Sequence, residues 1–152
     1  LRDIVPQDTM MLILLIVAVV GTIYGKPIYR NEIPNGYGVP NMCYGHDGGP
    51  IWAPVGHYSP TNYTQDKNPF GKDFAAVNHT WTQSLCMKDS DGDGKTNGEE
   101  LGDPHCRWSK GGDAPAHNAT GHPGICEPLG SNVCSNQAFF CGCHGHECVL
   151  SS

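Results

Sequence analysis

The chain has 152 residues, with 15 Asp/Glu against nine Lys/Arg, a formal charge of −6 and eight cysteines. An acidic chain with no basic patch does not fit nucleic acid or an anionic membrane as partner. Twenty glycines and twelve prolines with few aliphatic residues exclude long helices and a large core, leaving one small domain held by crosslinks.

Residues 1–25 read as upstream sequence and a signal peptide. The run Met11–Val20 is ten apolar residues, too short to span a bilayer and suited to an h-region. Cleavage is expected after Gly25, with Gly21 as the alternative, and the mature product is expected to be secreted with no membrane span. All eight cysteines (Cys43, Cys86, Cys106, Cys126, Cys134, Cys141, Cys143, Cys148) follow this point, an even number that implies a disulfide framework in an exported chain. Sequons at Asn62, Asn78 and Asn118 agree with export as glycosylation sites.

From Lys26 to Asn68, prolines at 27, 34, 40, 50, 54 and 60 favour loops with short strands. From Asp73, the residues Phe74, Val77, Trp81 and Leu85 recur at helical spacing, predicting one helix that delivers Cys86 and Asp89. The next stretch, Asp89-Ser-Asp-Gly-Asp-Gly-Lys-Thr-Asn-Gly-Glu-Glu100, has the spacing of an EF-hand calcium loop. Asp89, Asp91 and Asp93 alternate, Gly94 turns the chain, Lys95 offers a backbone carbonyl, Asn97 stands at position nine and Glu100 at position twelve. Thr96 at position eight is polar, and Gly102-Asp-Pro104 leaves the exit helix room for about one turn. The loop is therefore expected to be a structural staple rather than a switch. A Cys86–Cys106 bridge would close a 21-residue ring around it, stabilising by roughly 3 kcal/mol in the chain-entropy model. The fold class expected is small, disulfide-rich, loop-rich α+β, with short strands and one helix leading into an EF-hand-like calcium loop.

Several segments together resemble the temptin family of gastropod water-borne protein pheromones. They are Tyr29–Gly36, Val39-Pro-Asn41 with Cys43, Gly56-His57, Asn68–Gly71 with Asp73-Phe74, Lys88–Pro104 with Cys106 and Trp108, and His122–Cys126. The resemblance divides the chain into 26–126, a temptin-like calcium-binding domain, and 127–152, a Cys/His-rich C-terminal extension. It implies a non-enzymatic attractant acting with attractin-like secreted peptides and a chemosensory receptor. It also implies the pairings Cys43–Cys126 and Cys86–Cys106, with Cys134, Cys141, Cys143 and Cys148 paired among themselves.

A second function class is an extracellular metalloprotein, because a Cys43–Cys126 bond would bring His46 near His122, where His57 would complete a copper or zinc site. A third is a calcium-binding matrix module, against which the absence of acidic repeats argues. Enzyme motifs are missing: there is no Gly-x-Ser-x-Gly, no His-Glu-x-x-His and no phosphate-binding glycine loop.

Overall fold

The computed structural model describes residues 27–63 and 66–148; the expected leader and its cleavage sites lie outside them. Regular structure is brief. A 3₁₀ helix covers Pro27–Glu32, three α-helices follow as α1 (Pro69–Ala76), α2 (Gln83–Cys86) and α3 (Asn97–Glu100), and a second 3₁₀ turn covers His146–Cys148. The short strands that were expected do not form among the described residues, where pairing is limited to isolated bridges between Pro40 and Ile51 and between His57 and Lys67. The prolines lack the N–H that would extend a ladder. Asparagine side chains take over the backbone groups instead. Asn41 Nδ2 donates to the carbonyls of Asp47 and Gly49. Asn68 is fully buried; it caps α1 by accepting from Gly71 N, and its Nδ2 donates to the carbonyls of Val55 and His57.

The single helix expected over Phe74–Leu85 is two helices with a break. α1 ends at Ala76, and Asn78 and His79 take left-handed φ values of 54° and 55°. Thr82 then caps α2, its hydroxyl accepting from Leu85 N at 3.2 Å. The β-branched Val77, Thr80 and Thr82 and the turn-forming Asn78 outweigh the apolar periodicity. Phe70 and Phe74 of α1 and Leu85 of α2 still reach the core, and α2 packs on α3.

The core gathers Val39, Trp52, Phe70, Leu101 and Ile125. Phe139, Cys143 and Cys148 join this core: Phe139 packs on Trp52 at 5.9 Å and on Tyr58 at 6.4 Å between ring centroids. The crosslinks follow that path. Cys86 is bonded to Cys106. The implied Cys43–Cys126 bond is not formed, and the four tail cysteines do not pair only among themselves. Cys43 is bonded to Cys141, Cys126 to Cys134, and Cys143 to Cys148, with Cα–Cα distances of 5.4, 5.5 and 5.5 Å. A turn over residues 128–131 brings Cys134 back to Cys126. The Gln137 side chain then clamps the Cys126 backbone, accepting from its N–H and donating to its carbonyl. With Phe139 seated beside Trp52, Cys141 is the sulfur delivered to Cys43.

Candidate metal centre

The loop from Asp89 to Glu100 is pinned at both ends. At its entry, Asn97 Nδ2 donates to the Leu85 carbonyl at 2.7 Å and to Ser90 Oγ at 2.9 Å. At its exit, Thr96 and Glu99 form a reciprocal capping box that starts α3. Thr96 therefore serves the helix start rather than pairing with a second loop. Behind the loop, Asp103 is almost fully buried and accepts from Arg107 N, Trp108 N and Trp81 Nε1. This latch and the Cys86–Cys106 bond close the ring around the acidic residues. Gly98 lies against Cys86 Sγ, where no side chain fits.

Inside the ring, backbone N–H groups fix each aspartate. Asp89 accepts from Gly92 N and Gly94 N, Asp91 from Asp93 N, and Asp93 from Lys95 N. Asp89, Asp91 and Asp93 each present a carboxylate oxygen within 4.8 Å of the other two, a grouping no other His, Cys, Asp or Glu triplet reaches among the described residues. The second oxygens of Asp91 and Asp93, the Asn97 amide oxygen and both Glu100 oxygens are buried without a hydrogen-bond partner. Glu100 has no exposed surface. A buried carboxylate in that state is strongly disfavoured as an anion. Burial first, then the charges of Asp91, Asp93 and Glu127, pushes the Glu100 carboxyl up to about 9. Burial and then the Asp93 charge push Asp91 to about 7. The donor set is all hard oxygen with excess negative charge, which fits a divalent cation of the calcium type and offers no nitrogen or sulfur for a softer metal. Lys95 lies at the rim, with Nζ 4.0 Å from Asp93 Oδ2.

One carboxylate here was not identified from the sequence. Glu127 is half-buried, accepts from His122 N at 3.0 Å and acts electrostatically on Asp91 and Glu100. Its own carboxyl is raised, chiefly by burial. Nothing in its sequence surroundings marks it, because it reaches the loop only through the fold of residues 120–127.

The three histidines do not come together. His122 is fully buried, its ring 4.8 Å from Trp52 and its Nδ1 accepting from Gly124 N; burial pushes it down to about 3. His46 is exposed, and His57 lines a separate cavity beside Tyr63. The Cys43–Cys126 bond that would have joined them is absent, as described above. Asn62, Asn78 and Asn118 are all exposed.

Fold and loop together define a small module stapled by disulfides, built around a ring-closed acidic loop. A family model described as Temptin C-terminal matches residues 23–125. The Aplysia californica protein Temptin is 48% identical over 102 residues, covering 66% of this chain and 78% of that protein. The chain belongs to the temptin family. No solved structure matches it.

Proposed function

We propose that this chain is a secreted, water-borne protein pheromone that acts by binding rather than catalysis. The observation that carries the reading is the 48% identity over 102 residues to Aplysia Temptin, a member of a pheromone family. Its action rests on a fixed surface presented to attractin-like secreted peptides and a chemosensory receptor. With so little regular structure, that surface is fixed by four disulfides and by one calcium ion. Asp89, Asp91, Asp93, the Lys95 carbonyl, Asn97 and Glu100 would hold the ion, with Glu127 adding charge from the side. The buried oxygens of Asp91, Asp93 and Glu100 that lack a hydrogen-bond partner support this role. Micromolar affinity is unnecessary, since extracellular modules function with Kd on the order of 10⁻⁴–10⁻³ M. Export is supported by the leader-like residues and the disulfides, and among the described residues no helix is long and apolar enough to cross a membrane. The exposed Asn62, Asn78 and Asn118 are the proposed glycosylation sites.

The test is behavioural. Recombinant protein, alone and with attractin-like peptides, is offered to animals of the producing species. Attraction above that of the peptides alone is expected; indifference to both preparations would contradict the reading.

A further inference from the structure

Beside α1, with no residue of the acidic loop in its lining, a cavity of about 530 Å³ opens to the surface. That volume lies within the range of small-molecule sites, about 300–1,000 Å³. Its floor is aromatic: Phe70 and Phe74 stack at 5.8 Å, and Tyr29 lies on His79 at 4.3 Å between ring centroids. Gly56 and Gly71 form one wall of it: a Cβ on Gly71 would fall inside the Gly56 carbonyl, so α1 sits directly on the 54–57 turn.

The charges around it run against those of the chain as a whole. Acids outnumber Lys and Arg 15 to nine, yet among the described residues Arg30 and Lys67 line this cavity, beside His57 and His79, and no Asp or Glu does. Arg30 is held in place by its Nε bond to the Gly36 carbonyl and by the Tyr37 ring, 4.1 Å from its Cζ. Lys67 is exposed and has no carboxylate within 4 Å among the described residues. The neighbouring Asp66 has a carboxylate oxygen near Gly145 of the tail. An apolar floor under a cationic rim suits a ligand with one apolar end and one anionic end.

We propose that the cavity formed by Tyr29, Phe70, Phe74 and His79 binds a small anionic amphiphile, with its acid group on Lys67 and Arg30. The site shares no lining residue with the acidic loop.

The test uses the full disulfide-bonded chain and three ten-carbon probes below their micelle concentrations: decanoate, 1-decanol and decyltrimethylammonium. Titration is followed by calorimetry and by the ring-proton resonances of His57 and His79. Saturable one-site binding of decanoate, tighter than that of the other two and with both histidine resonances shifted, is expected. Lys67→Glu, a change at an exposed position, is expected to weaken decanoate about three- to tenfold and to leave decanol unchanged. The proposal is overturned if no probe binds saturably, if all three bind alike, or if Lys67→Glu leaves decanoate binding intact.

Discussion

Gly121 lies against the Glu100 carboxylate: a Cβ at position 121 would stand 2.8 Å from Oε1, and Gly121 N approaches the Glu100 carbonyl at 3.4 Å. The 120–122 backbone is therefore the lid over the buried glutamate. Gly121→Ala is expected to displace that carboxylate and weaken calcium by about tenfold, roughly 1.4 kcal/mol, while barely changing stability in chelator. Calcium titrations of both proteins check this.

The Asp103 latch holds three donors at once, from Trp81, Arg107 and Trp108. Removing it leaves three part-buried N–H groups without their acceptor, each costly to leave unpaired. Asp103→Ala is expected to cost about 3 kcal/mol. Denaturant unfolding measures the loss, and a red shift in tryptophan emission would report the freed Trp81 indole.

The disulfides differ in what they constrain. Cys43 and Cys141 are 98 residues apart, whereas Cys143 and Cys148 are five apart. The chain-entropy model gives on the order of 4–5 kcal/mol for a long ring and about 2 kcal/mol for a very short one. Paired alanine substitutions should rank accordingly in chemical denaturation. Non-reducing peptide maps should link the Cys43 peptide to the Cys141 peptide.

Acid stability follows from His122. Burial against Trp52 excludes the cation and pushes its folded pKa down to about 3, below the usual imidazole value of about 6.5. At this site the unfolded chain binds the extra proton in that window, so the His122 contribution falls by up to about 1.4 kcal/mol per unit as pH drops from about 6.5 toward 3, against the opposite contribution of the raised Glu100 and Asp91 carboxyls. Measured in chelator, the wild-type slope should exceed that of His122→Gln; equal slopes would remove His122 from the account.

What could be read from the sequence was what is local in it. The acidic spacing of residues 89–100 and the flanking Cys86 and Cys106 are neighbours along the chain, so ring and loop were visible together. Cys43–Cys141 was not, because a pairing across 98 residues depends on where Gln137 and Phe139 carry the tail. The apolar spacing from Phe74 to Leu85 survived a break at Asn78 and His79, since side chains can keep facing the core after the backbone leaves the helix. Glu127 was hidden for the same reason as Cys141. It joins the loop only once the chain has folded back through His122.

The most direct test is calcium-dependent unfolding of the secreted chain and of Glu100→Gln, each in chelator and in excess calcium. At calcium 100-fold above Kd, linkage predicts a gain of about 2.7 kcal/mol for the wild type. In Glu100→Gln that gain should be lost, while its stability in chelator should equal or exceed the wild type's because a buried unpaired carboxyl has been neutralised. Elemental analysis should find one calcium per wild-type chain. A wild type that unfolds identically in chelator and in excess calcium, and carries no calcium, would contradict the account.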